Sequence, residues 1–186
     1  MAKETKIAAG YKYLLTYQYS VVIHDLTVEF CRRFLPGREL LRQRDQMVQA
    51  ARSGKQNIAE GHELQSLETY IKLSGVAKGS LKELLEDYED FLRQRGLALW
   101  PKDDPRMREL RGMRVVPNPS PHLPHFPCLP QDPEFAANLL VMLCQRTTYL
   151  LGRQIESLRE KFVKEGGFRE NLFRQRMKFR RGHPRA

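Results

Sequence analysis

Apolar residues recur at spacings of three and four in four long stretches of this 186-residue chain, and this periodicity is the feature that most limits its fold. Such spacing places apolar side chains along one side of an α-helix. Residues that commonly end helices follow each stretch: Pro36 and Gly37, Gly61, Gly96, and Gly166 with Gly167. No stretch reads as a β-strand. The sequence therefore predicts an all-α protein.

The predicted helices cover residues 11–35, 40–61, 66–96 and 133–166. Short turns join the first three, which favours side-by-side packing of consecutive helices. Residues 97–132 separate the third helix from the fourth and include VVPNPSPHLPHFPCLPQD, where prolines disfavour helix and central strand alike. We expect an antiparallel up-down-up-down four-helix bundle over residues 1–166. Its proline-rich insertion, 97–132, is expected to be extended, and a basic tail follows at 167–186.

The chain carries 32 Lys and Arg against 22 Asp and Glu, a net charge of +10 with neutral His. The tail contributes +6 of this, since seven basic residues and one acidic residue follow Gly167. A positive field of this kind attracts polyanions. Nucleic acid is therefore the first partner to consider, and an acidic membrane surface is the second.

The cysteines and the N-terminal residues bear on location. Cys31, Cys128 and Cys144 are too few and too scattered for a disulfide framework. The N-terminal MAKETKIAAGYKYLL lacks the apolar run of a signal peptide, and no segment approaches the ~18 apolar residues of a membrane span. We expect a cytoplasmic protein that does not enter the membrane.

The segment ARSGKQNIAEG, residues 51–61, contains Gly54-Lys55 and raises the question of a phosphate-binding loop. A Walker A loop needs a glycine where Gln49 stands and a hydroxyl residue where Gln56 stands, so that interpretation fails. Small residues on the second and third helices instead indicate close helix packing, within the bundle or between subunits. The residues assigned to such contacts are Gly54, Asn57, Glu60, Gly61, Gly75 and Gly79.

Metal binding and catalysis have weaker signals. His122, His125 and Cys128 are residue types that bind zinc, but no fourth ligand is evident nearby, and a solvated loop is the favoured alternative. His24 beside Asp25 is either an acid–base residue or, more simply, a core or interface histidine satisfied by a neighbour. No nucleophile signature is present. We expect no catalytic activity, no cofactor and no metal.

Basic residues on the helices and in the tail are the candidates for phosphate contacts, because each neutralised phosphate releases counterions. A solvated surface is the alternative for any single residue. The candidates are Arg52, Lys55, Lys72, Lys78, Lys82, Arg174, Arg176, Lys178, Arg180 and Arg181.

The motifs NIAEG at 57–61 and AKGSLKEL at 77–84, with Arg52-Ser53 before them and the region of Tyr70 between them, carry a family resemblance. The chain resembles the four-helix-bundle family that includes the intervening-sequence proteins of large ribosomal RNA and the accessory variability determinant of diversity-generating retroelements. The tail EGGFRENLFRQRMKFRRG is similar to the arginine-rich suffix of one branch. The resemblance covers the second and third helices most strongly.

This resemblance implies a basic bundle that assembles as a homopentamer, binds RNA or DNA without catalysis, and in the retroelement branch docks onto a reverse transcriptase. We therefore expect a nucleic-acid-binding accessory protein. Two alternatives stay open. One is an assembly adaptor whose tail and proline-rich loop bind a partner protein, and the other is an enzyme that uses the His-Cys loop.

Overall fold

The computed structural model describes residues 10–64, 66–112 and 128–182, and all regular structure in these ranges is helical. The expected all-α class is therefore confirmed for the described residues. The α-helices are α1 (Leu15–Phe34), α2 (Leu41–Glu63), α3 (Leu67–Gln94), α4 (Pro105–Gly112), α5 (Pro133–Glu165) and α6 (Phe168–Gly182). Short 3₁₀ turns at Gly10–Tyr13 and Arg38–Leu40 precede α1 and α2.

Local sequence explains where the longest helices begin and end. The Ser66 hydroxyl accepts a hydrogen bond from the Thr69 amide at 3.3 Å, which caps the start of α3. The Asp132 carboxylate accepts from the Phe135 amide at 2.7 Å and caps α5 in the same way. Gly166 ends α5 at a φ of 77°, a conformation that side chains disfavour.

The four long helices share one apolar core. The third helix packs against α2 on one side and α5 on the other, and α1 packs against the same two helices. Phe30 of α1 and Tyr88 of α3 meet edge to face in this core, with ring centroids 5.1 Å apart. The Tyr88 hydroxyl donates to the Thr27 hydroxyl at 2.8 Å, which satisfies its polar group in an otherwise apolar interior.

Two glycines of α2 lie directly against α3. A Cβ on Gly54 would lie 2.9 Å from Cγ and Cδ2 of Leu81, and one on Gly61 would lie 3.0 Å from the Tyr70 ring. A Cβ on Gly75 or Gly79 would meet no atom within 4 Å, so these two glycines face away from this contact. Their predicted role at a subunit interface stays a prediction.

The expectation that residues 97–132 are extended throughout is wrong for residues 105–112, which form α4. Pro105 takes the first helical position, where its missing amide hydrogen is not needed. Met107 and Leu110 are 2% and 0% exposed, so their burial against the bundle stabilises a short helix that local sequence does not indicate. Residues 113–127, which include His122 and His125, lie outside the described residues.

Side chains of α5 bind the chain that precedes α4. The Glu134 carboxylate accepts from the Ala98 amide at 3.0 Å and from the Trp100 indole at 2.7 Å. These hydrogen bonds hold the pKa of Glu134 below its usual range. The Asn138 side chain accepts from the Trp100 amide at 2.9 Å and donates to the Ala98 carbonyl at 2.9 Å. The first part of the connection is therefore bound to α5.

Among the helices of residues 10–64, 66–112 and 128–182, none combines the length and apolarity needed to cross a bilayer.

The Gly54 contact predicts opposite effects of one substitution at two glycines. G54A should lower the free energy of unfolding by about 1 kcal/mol or more, because its methyl group would overlap buried Leu81. G79A should raise it by up to about 1 kcal/mol, because alanine favours helix and no atom opposes its methyl group. Urea denaturation of both variants checks this. Equal effects of the two substitutions would contradict the proposed packing.

Candidate nucleic-acid interface

Helix α6 presents six exposed cations against a single carboxylate, Glu170. The Glu170 carboxylate accepts from the Gly167 amide at 3.1 Å, which favours the start of the helix. Within the described residues, no α6 cation forms an ion pair. The six cations are Arg169, Arg174, Arg176, Lys178, Arg180 and Arg181.

Exposed apolar side chains alternate with these cations. Phe168, Leu172 and Phe179 share one face at spacings of four and seven, and Phe173 lies on another face with 64% of its surface exposed. In the described part of the chain, α6 does not pack along any other helix. It therefore offers both charge and aromatic surface to a partner.

The last turns of α5 differ from α6 because their cations are paired. Arg159 lies 3.8 Å from Glu156, and two lysines of the same helix lie 3.9 Å from glutamates one turn away. Such exposed pairs contribute little stability, but they do offset local charge. The uncompensated positive charge at this end of the molecule is therefore concentrated on α6.

The structure separates two of the basic residues predicted on α2 and α3, Lys55 and Lys78. Arg52 is exposed on α2, whereas the Lys55 ammonium lies 3.5 Å from Nδ1 of His24 on α1. The Lys78 ammonium reaches α5, 3.2 Å from where a Cβ on Gly152 would lie. Lys55 and Lys78 thus lie on opposite sides of the α2–α3 pair.

The two remaining basic candidates of α3, Lys72 and Lys82, are exposed.

Two of the residues predicted to form packing contacts lie on α2. The Asn57 side chain donates to the Ser53 carbonyl at 2.8 Å, and Glu60 is exposed. The Asn57 contact lies within α2, so a role of Asn57 or Glu60 between subunits stays a prediction.

The C-terminal part of α3 is acidic. We call residues Glu83, Glu86, Asp87, Glu89 and Asp90 the acidic half of α3. Burial raises the pKa of Asp87 to about 6, and the neighbouring charges of Asp90, Glu83 and Glu86 add to this effect. This surface repels polyanions, so the acidic half of α3 is not a candidate for a nucleic-acid contact.

The cysteines and His24 do not form a reactive cluster in the described residues. Burial raises the pKa of the Cys31 thiol to about 12 and raises that of the Cys144 thiol further, which disfavours the nucleophilic thiolate. Nδ1 of His24 lies 3.3 Å from an exposed Asp25 carboxylate. Residues 10–64, 66–112 and 128–182 contain no group of three or more side chains suited to hold a metal ion. Cys128 is exposed.

One basic groove was not predicted from the sequence. Lys102, Arg111, Arg146 and Tyr149 line it where the chain around α4 meets α5. The grouping depends on a helix that the sequence did not predict, and Arg146 lies 35 residues from Arg111. The only local signal is the spacing of Arg146, Tyr149 and Arg153, which places the three on one side of α5.

No protein-family model matches this chain, and no curated protein and no solved structure is similar to it. The family resemblance of the second and third helices therefore stays a prediction.

The raised pKa of Asp87 predicts a pH-dependent effect of D87N. The carboxyl group of Asp87 binds its proton more tightly in the folded protein than in the unfolded chain. Ionisation of this group therefore destabilises the fold above about pH 6, and the destabilisation disappears below about pH 4. D87N should therefore raise the free energy of unfolding by roughly 1 kcal/mol near pH 7.5, allowing for partial exposure, and give no gain near pH 4.

Urea denaturation at both pH values measures this effect. E109Q, which neutralises an exposed carboxylate of α4, is the control for a general change in net charge. A gain from D87N that is the same at both pH values would contradict the assigned cause.

Proposed function

We propose that this protein is a non-catalytic accessory protein of the cytoplasm that binds RNA or DNA, with α6 as its main contact. The observation that carries the proposal is the set of six exposed, unpaired cations on α6, interleaved with exposed aromatic rings. Arginine forms paired hydrogen bonds with phosphate. Each phosphate that it neutralises releases counterions from the nucleic acid, which increases affinity. Aromatic rings add stacking with bases.

We further propose that α1, α2, α3 and α5 form the up-down-up-down four-helix bundle, with residues 97–132 as its long crossing connection. Contacts near helix ends support this arrangement. Thr16, near the start of α1, donates to the Gln154 side chain in the second half of α5 at 2.8 Å. Arg33, near the end of α1, donates to the carbonyls of Leu129 and Pro130 just before α5 at 3.0 Å. These pairs fit opposite directions of α1 and α5.

The homopentamer and the reverse transcriptase partner are proposed from the family resemblance. On the outward side of α3, Gly75 and Gly79 have no side chains and Val76 is 44% exposed, which supports the approach of a second copy. Light scattering of the purified chain measures the subunit number directly.

A protein-assembly adaptor is the second candidate, and the exposed apolar side chains of α6 favour it. Phe168, Leu172 and Phe173 are 45%, 48% and 64% exposed, and an amphipathic helix of this kind fits an apolar groove of a partner protein. Deletion of residues 167–186 separates the two functions. Loss of a protein partner with full retention of RNA binding would support the adaptor.

Neutralising α6 should weaken nucleic-acid binding more than neutralising the same number of cations on α5. We expect R174Q/R176Q/R180Q to reduce affinity for single-stranded RNA at least tenfold near 100 mM KCl. The slope of log affinity against log salt should fall by up to about 2, or about 0.7 for each lost phosphate contact. Fluorescence anisotropy measures both quantities.

The matched control is R159Q/K161Q/K164Q, which also removes three positive charges but from side chains that already have carboxylate neighbours. It should change affinity much less. Binding that is absent at low salt, or equal losses in the two triple variants, would reject α6 as the main contact.

A further inference from the structure

A groove between the chain around α4 and the solvent side of α5 combines three cations with one exposed aromatic ring. Lys102, Arg111, Arg146 and Tyr149 line it, together with Met142 and Gln145. We call this surface the α4–α5 groove. Arg153 lies one turn beyond Tyr149 on the same side of α5 and extends the positive surface.

Hydrogen bonds to neutral oxygens hold the two arginines of the groove in place. The Arg146 guanidinium donates to the Tyr19 hydroxyl at 3.1 Å and to the Arg111 carbonyl at 2.7 Å. The Arg111 guanidinium donates to the Lys102 carbonyl at 2.8 Å. These bonds fix both side chains without neutralising them, and each guanidinium has five donor hydrogens, so several stay free for a ligand.

Arg106, which is exposed, and Arg33, which is partly buried, have carboxylate partners, whereas the partly buried Arg44 donates to the Leu35 carbonyl. Arg106 lies 2.8 Å from Asp104 and 3.4 Å from Glu134, and Arg33 pairs with Glu29. In contrast, no ion pair within residues 10–64, 66–112 and 128–182 involves Lys102, Arg111, Arg146 or Arg153. Fixed charges without counter-charges are suited to bind an anion.

Tyr149 adds a feature that a simple anion site does not require. Its side chain is 65% exposed, although the neighbouring Thr147 and Thr148 are buried. An aromatic ring beside cations can stack with a nucleobase while the cations bind the adjoining phosphates. An acidic peptide supplies carboxylates for the cations, whereas every nucleotide supplies both a phosphate and a planar ring.

We propose that the α4–α5 groove binds single-stranded nucleic acid, with one unpaired base stacked on Tyr149 and its phosphates bound by Arg146, Arg111 and Lys102. The proposal rests on the proposed nucleic-acid function and adds preference for unpaired strands. The ring selects unpaired strands because the base faces in a duplex are already stacked on one another. The charge of α6 alone gives no such selection, since both kinds of strand carry phosphates.

The test uses the full chain and fluorescence anisotropy with a labelled single strand of about 12 nucleotides and the matching duplex. Y149A should weaken single-strand binding by roughly 5- to 100-fold and change duplex binding by less than about twofold. Y149F, which keeps the ring, should bind both as the unaltered chain does. K102Q should lower the salt slope for the single strand by about 0.7.

Three results would overturn the proposal. They are unchanged single-strand binding by Y149A, equal losses for single strand and duplex, and displacement of the strand by polyglutamate or by adenosine monophosphate as effectively as by an unlabelled strand. Thermal melting followed by circular dichroism confirms that each variant is folded. If Y149A does not fold, K102Q decides the proposal, because Lys102 is exposed and its side chain forms no ion pair within residues 10–64, 66–112 and 128–182.

The two proposals fail in distinguishable ways. A large loss in the triple variant of α6 with no effect of Y149A would reject only the groove. Selective loss in Y149A with no effect of the α6 variant would reject only α6 as the main contact. Absence of binding by the unaltered chain would reject both.

Discussion

The contact of Gly54 with Leu81 is the packing constraint on which the rest of the structure depends. Because Gly54 has no side chain, the buried Leu81 side chain occupies that space and α2 lies close to α3. The hydroxyls of Ser53 and Ser80, 3.0 Å apart, bridge the same two helices. One side of α3 packs against α2 and the other side packs against α5. The long charged side chains of α3 therefore lie at the edges of these two contacts or on the outer surface.

The arginines described above differ in the charge of their partners. Arg106 pairs with Glu134 and so joins the start of α4 to α5, whereas Arg33 pairs with Glu29 of its own helix and reaches the neutral carbonyls of Leu129 and Pro130. The arginines of the α4–α5 groove are held by neutral oxygens, and those of α6 have no ion pair in the described residues. The lack of ion pairs supports α6 and the groove as the proposed contacts for a polyanion.

The sequence predicts features that depend on local chemistry. The predicted starts at residues 66 and 133 and the predicted end at residue 166 lie within one residue of the bounds of α3 and α5, because helix capping and a positive φ are local effects of one turn. The sequence did not predict α4, because that helix depends on the burial of Met107 and Leu110 by the bundle.

Side-chain direction and distant contacts were equally hard to predict. Composition alone does not separate Gly54, which contacts α3, from Gly79, which faces open space. The groove depends on a hydrogen bond between Arg146 and the Arg111 carbonyl, 35 residues apart, which no local pattern encodes. Lys55 and Lys78 were both predicted to contact phosphates, but they do not share a surface, since Lys55 reaches α1 and Lys78 reaches α5.

The central claim is that unpaired cations beside exposed aromatic rings form the nucleic-acid contact. Ultraviolet cross-linking of the full chain to a single-stranded RNA, followed by mass spectrometry of the linked peptides, tests it most directly. The account predicts cross-links in residues 168–182, where Phe173 is exposed, and in residues 142–153 around Tyr149. Cross-links confined to the acidic half of α3 or to the exposed face of α2 would contradict it.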